Sequence, residues 1–141
     1  MRPYTIDEAI VYGDIMESSV VLMPSRSEGF GLVGLEAISV GVPVLVSKRS
    51  GLAELLGCHA KHLAQYCIVD VEDNEAVDSA VWQAALQNVL NDLEAAFDRA
   101  KELRELLAAK ISWEQSVNAM IERLYAEPAD MTRLLAQSAS Q

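Results

Sequence analysis

Residues 24–47 read PSRSEGFGLVGLEAISVGVPVLVS. Two glutamates, Glu28 and Glu36, stand on either side of a glycine-bearing turn that runs into a helix. Just before it, Val20-Val21-Leu22-Met23 is a short apolar run ended by Pro24, and reads as a buried strand. Ser25 to Phe30 reads as a loop, and a helix is expected from near Gly31 to about Val40, with Gly41 as its stop. Pro43-Val44-Leu45-Val46-Ser47 reads as a second buried strand, its proline tolerable at the first residue.

In open parallel sheets, ligands lie beyond the carboxyl ends of the strands, where the turn from Pro24 to Gly31 falls. Gly29 and Gly31 lack a Cβ, so the backbone can take positive φ and a ligand can approach closely. The amides of Gly31, Leu32 and Val33 would be unpaired donors of the helix's first turn, and such donors hold phosphate. A carboxylate beside them repels phosphate but accepts strongly from sugar hydroxyls. Hydroxyl, phosphate, hydroxyl is the order along a nucleotide sugar. The helix dipole alone also favours a glutamate in the first turns, so spacing leaves a purely structural reading open.

Outward from this stretch, Thr5-Ile6-Asp7-Glu8 forms a capping box that predicts a helix to about Ser18. A short helix is expected around Leu52 to Leu56, and Cys67-Ile68-Val69-Asp70 as a third strand. Val77, Val81, Ala85 and Val89, joined by Trp82, Leu86 and Leu90, make a broad apolar stripe at helical spacing. Phe97, Ala100, Leu103 and Leu107 make another. Ser112-Trp113-Glu114-Gln115 is a second capping box, opening a helix whose Trp113, Val117, Met120, Ile121, Leu124 and Tyr125 share one face. That face packs as core or meets a further domain or second copy. Strand, helix, strand, helix, strand is the rhythm of a parallel sheet. Three strands are few for such a sheet, so earlier strands are expected to be missing. The expected organisation is an α/β Rossmann-like domain over 1–126 and a tail over 127–141.

At 141 residues with half of them apolar, the chain can bury a core. A net charge of −10 argues against nucleic acid and anionic membrane surfaces as partners. No apolar run reaches the ~20 residues of a membrane span. Cys58 and Cys67 read as free thiols, which fits a cytoplasmic compartment. His59 and His62 fall in what reads as a polar loop, without further ligands for a metal.

The string Pro24-Ser25-Arg26-Ser27-Glu28-Gly29-Phe30-Gly31-Leu32, followed by Leu35-Glu36-Ala37, Gly41-Val42-Pro43-Val44 and Ser50-Gly51-Leu52-Ala53-Glu54, resembles glycosyltransferase family 4. The likeness runs from about Tyr4 to Tyr125 and is most specific at the two glutamates. It implies the C-terminal, donor-binding half of a GT-B fold with its first strands missing. It implies a retaining transfer of a hexose from a nucleotide-diphosphate sugar, with no tightly held metal and no cofactor beyond that donor. By the same likeness Glu28 would contact donor-sugar hydroxyls as the catalytic-site residue. Phe30, Gly31 and Leu32 would offer backbone contacts to sugar and diphosphate, and Glu36 would bind the ribose hydroxyls.

Two departures stand out. Ser50-Gly51 replaces the family's usual Gly-Gly, and the basic residues that neutralise the diphosphate belong to an earlier segment that this chain lacks. Arg26, Lys48 and Arg49 lie near the predicted strand ends and read as solvated surface. The chain alone is therefore expected to be inactive, completed by an N-terminal domain or by a homo-oligomer through its C-terminal helices. The alternative is a repurposed, non-catalytic module of a larger defence or signalling protein.

Overall fold

A computed structural model describes residues 8–110, except 27 and 73 and the side chains of 8 and 9. The Thr5 capping box, the Trp113 helix and the 127–141 tail lie outside the described residues. Backbone contacts divide the chain into Met1–Leu107 and Ala108–Gln141, and only residues 108–110 of the second unit are described.

The first unit is α/β. Three strands, β1 (Val21–Met23), β2 (Val44–Ser47) and β3 (Ile68–Val69), form one parallel sheet in the order β1-β2-β3. Helix α1 (Glu8–Met16) precedes β1, and α2 (Leu32–Ser39) joins β1 to β2. Helices α3 (Gly51–His59) and α4 (Lys61–Ala64) join β2 to β3, and α5 (Glu75–Asn91) and α6 (Leu93–Lys110) follow. This is a three-stranded, Rossmann-like βαβαβ arrangement, as the alternation of elements predicts.

All four residues of β2 are buried, because apolar layers cover both sheet faces. Val44 and Val46 point into a core with Ala37, Ile38, Leu52, Leu56, Leu103 and Leu107. Leu45, on the other face, packs with Val69, Val89 and Ala96, edged by Val20, Trp82 and Leu86. On edge strand β1, Val21 and Met23 pack against the first core while Leu22 stays exposed.

Gly34 sets how closely α2 meets its neighbours. A Cβ there would stand 2.6 Å from Leu52 Cδ2 and 2.8 Å from Met23 Sδ. Gly41 ends α2 as predicted, at φ +77°. Its amide donates to the Ile38 carbonyl and the Val42 amide to that of Ala37, the paired bonds of a left-handed helix stop.

One expectation is corrected, and two helical stripes are resolved in detail. His59 and His62 are not in a loop: His59 closes α3, and His62 lies on α4, 3.1 Å from Glu102 Oε1. Within the α5 stripe only Val89 is buried, while Val77, Val81 and Leu90 are exposed. Among the described residues α5 meets the sheet through Val89, with Trp82, Ala85 and Leu86 packed against the same cluster. On α6 the buried line is Ala96, Ala100, Leu103 and Leu107, and Phe97 points away.

Candidate functional site

The carboxyl ends of the strands gather the predicted site. Beyond Met23 the chain turns through Pro24 and Ser25 and comes back beside β2's exit, where Glu28 and Ser50 pair as a parallel bridge. Two further backbone bonds extend the contact: the Gly51 amide donates to the Gly29 carbonyl at 3.0 Å, and the Leu52 amide to that of Phe30 at 2.7 Å. The loop before α2 is thus fastened to the start of α3. Ser50 caps α3, accepting from the Ala53 amide at 3.1 Å and donating to the Ser47 carbonyl at 2.8 Å.

Helix α2 opens differently. Its N-cap is Gly31, in the left-handed region at φ +95°, and no side chain caps it among the described residues. Gly31's carbonyl receives the Gly34 and Leu35 amides. The amides of Leu32 and Val33 begin the helix without an intrahelical acceptor, as every first turn does. Phe30 and Leu32, on either side of Gly31, are both exposed.

Glu28 is half-buried and held in place. Ser25 Oγ donates to its Oε2 at 2.8 Å, and its stem lies against Gly31, where a Cβ would be 3.8 Å from Glu28 Cγ. Carboxylate, Gly31 and the first-turn amides therefore share one corner. Glu36 sits one turn further on, on the same side of α2 as Leu32 and opposite buried Gly34 and the Ala37–Ile38 pair. It is half-buried. The structure thus joins Glu28, Phe30, Gly31 and Leu32 at the helix mouth and places Glu36 along the outer flank.

Of the three nearby cations, Lys48 is engaged by Asp70 at 2.7 Å, joining the exits of β2 and β3. Both partners are about two-thirds exposed, so the pair adds little stability. Arg26 and Arg49 are exposed. Among the described residues, no group of three or more His, Cys, Asp or Glu side chains could hold a metal ion, and no helix is long and apolar enough to cross a membrane.

Three contributors escape sequence reasoning. Ser25 orients Glu28, Ser50 pairs with the glutamate's own backbone, and Gly51 admits the Gly29 carbonyl. The serine three residues before Glu28 is the one local signal, since that spacing lets a hydroxyl reach forward to a carboxylate.

With this geometry in view, comparison with known proteins is decisive at the level of family. The model for family 4 glycosyltransferases in conflict systems matches residues 1–120. The chain belongs to that family. Among curated relatives of this family 4 chain, a D-inositol 3-phosphate glycosyltransferase of Corynebacterium urealyticum is 34% identical over 105 residues, 74% of the chain and 22% of the relative. Another of that name, from Salinispora arenicola, is 31% identical over 105 residues, covering 74% and 21%. A glycogen synthase of Mycobacterium tuberculosis is 27% identical over 117 residues, covering 81% and 25%. The family 4 chain thus spans about a quarter of the length of these relatives. No solved structure matches it significantly.

Proposed function

We propose that this family 4 chain is the nucleotide-sugar-binding portion of a retaining glycosyltransferase, which passes a hexose from a nucleotide-diphosphate sugar to an acceptor. The observation that carries this reading is the uncapped, left-handed Gly31 start of α2 with the Ser25-anchored Glu28 carboxylate against it. Diphosphate oxygens accept from the Leu32 and Val33 amides, where the helix dipole favours negative charge. Glu28 accepts from hydroxyls of the donor sugar and Glu36 from the ribose, each as a charge-assisted hydrogen bond. The anomeric carbon keeps its configuration because the acceptor enters on the face the diphosphate leaves, and a departing phosphate oxygen takes the acceptor's proton. Neither glutamate is an acid or base in this scheme.

Turnover requires a second wall to complete the cleft and exclude water. On this reading the fragment binds donor without transferring sugar, and its acceptor site belongs to another domain. Calorimetric titration with UDP, GDP, ADP and their hexose conjugates tests it: saturable heat with one base family supports the reading, and silence at millimolar ligand overturns it.

The relatives' names attach the family to sugar transfer, while the matched family's description places it in conflict systems. The second favours a further reading, a repurposed, non-catalytic module of a larger defence protein. Such a module retains the fold and the Gly51–Gly29 fastening but shows no preference for nucleotide sugars over free nucleotides.

A further inference from the structure

A cavity of about 110 Å³ lies at the opposite end of the strands from Glu28, between the sheet and helices α5 and α6. Its apolar wall is Leu45, Ile68, Ala85 and Val89, and its polar wall is Gln65, Tyr66, Asn88 and Arg99. A smaller cavity adjoins it, and Tyr66, Val89 and Arg99 line both.

Arg99 is half-buried, and its guanidinium carbon lies 4.6 Å from the centre of the Tyr66 ring. A cation–π contact uses the flat face of the guanidinium and leaves its N–H edge free to donate. Among the described residues no carboxylate pairs with it, and Glu102, one helical turn on, is bound to His62. In a chain of net charge −10, a half-buried guanidinium that meets no carboxylate among the described residues is conspicuous. Its charge is felt locally: it pulls the Cys67 thiol downward, against the stronger upward push of burial.

We propose that this cavity binds a small aliphatic carboxylate, gripped by Arg99. The planar fork of the guanidinium matches two carboxylate oxygens, Asn88 at the exposed side can donate a further bond, and the short tail lies on Leu45, Ile68, Ala85 and Val89. The volume suits this class, since an engineered cavity of about 150 Å³ holds benzene and propionate is smaller. Phosphate is the poorer fit. It carries more charge than one guanidinium balances, and it would lay charged oxygens on the apolar wall. The site shares no residue with the Glu28 corner, so its success or failure is independent of nucleotide binding.

The test is titration of the full chain with propionate, followed by NMR of the Arg99 Nε–H and the Gln65 and Asn88 side-chain amides. Saturable shifts at propionate concentrations on the order of millimolar are expected. Propionamide, neutral and of the same shape, should produce none. Arg99→Gln should weaken propionate by about tenfold or more. Ala85→Phe, which fills the cavity and leaves Arg99 in place, should abolish the response with the rest of the spectrum intact. Equal responses to propionate and propionamide, undiminished binding by Arg99→Gln, or unsaturable shifts would overturn the site. Tighter binding of inorganic phosphate would overturn the carboxylate assignment.

Discussion

Gly51 and Gly29 meet backbone to backbone: the Gly51 amide donates to the Gly29 carbonyl at 3.0 Å, and a Cβ on Gly51 would stand 2.7 Å from that same oxygen. A main-chain oxygen cannot step aside as a flexible side chain can. Gly51→Ala should therefore push the Glu28 loop away from α3, costing about 1–3 kcal/mol of stability. Nucleotide-sugar affinity should fall by about tenfold or more, read by calorimetry beside a denaturant melt. Unchanged affinity in a folded Gly51→Ala variant would separate the fastening from ligand binding.

Glu28 and Glu36 should fail in different ways. Replacing a charged acceptor by a neutral one costs about 1.5–3 kcal/mol where the bond forms, on the order of ten- to a hundredfold in affinity. Glu28→Gln should weaken nucleotide-diphosphate sugars while leaving the free nucleotide diphosphate unaffected. Glu36→Gln should weaken both, since both carry the ribose. Paired titrations of sugar conjugate and free nucleotide distinguish the two, and an identical pattern for both variants would refute the assignment of roles.

Gly34 tests the packing that aims α2. An alanine there gains roughly 1 kcal/mol of helix propensity. Its Cβ would lie 2.6 Å from Leu52 Cδ2, 2.8 Å from Met23 Sδ and 3.4 Å from Val46 Cγ1. Leu52 and Met23, on α3 and β1, must both shift to make room inside a packed core, while Val46 stays at ordinary contact distance. Gly34→Ala should lose about 1–3 kcal/mol overall, measured by urea unfolding. A more stable variant would mean that α2 can lift without penalty.

Cys67 gives a pH signature. Burial pushes its thiol from 9.0 up to about 11, against a smaller downward pull from Arg99. The folded protein therefore holds this proton more tightly than the unfolded chain does. The stability linked to it is fully present below pH 9, and it falls as pH rises from 9 to about 11, by on the order of 2 kcal/mol. Unfolding of wild type against Cys67→Ala across that range should show the difference. Exposed Cys58 should react with iodoacetamide well before Cys67 at pH 8.

Much of the fold is legible in the sequence where local and global preferences agree. Val20–Met23 before Pro24, and Pro43–Ser47 after Gly41, read as strands because short apolar runs bounded by breakers have few other outcomes. Helix α2 reads as a helix because Gly31 and Gly41 frame it. The rest depended on partners distant in sequence. Which of α5's apolar residues are covered depends on what packs against the helix, which its own periodicity does not encode. His62 became helical and met Glu102, 40 residues away, through packing of α4 on α6. At the site, the two glutamates and the glycine-framed helix start were visible as a motif. The Ser25 bond to Glu28 and the Gly51–Gly29 approach were not, since each follows from how the loop folds back on α3.

Whether the first turn of α2 receives the diphosphate is read most directly by backbone NMR of Leu32 and Val33. Downfield amide-proton shifts are expected on addition of the preferred nucleotide diphosphate, and far smaller ones with the matching nucleoside, which lacks phosphate. Equal shifts with nucleoside and nucleotide, or amides of Leu32 and Val33 that do not respond while binding heat is present, would contradict it.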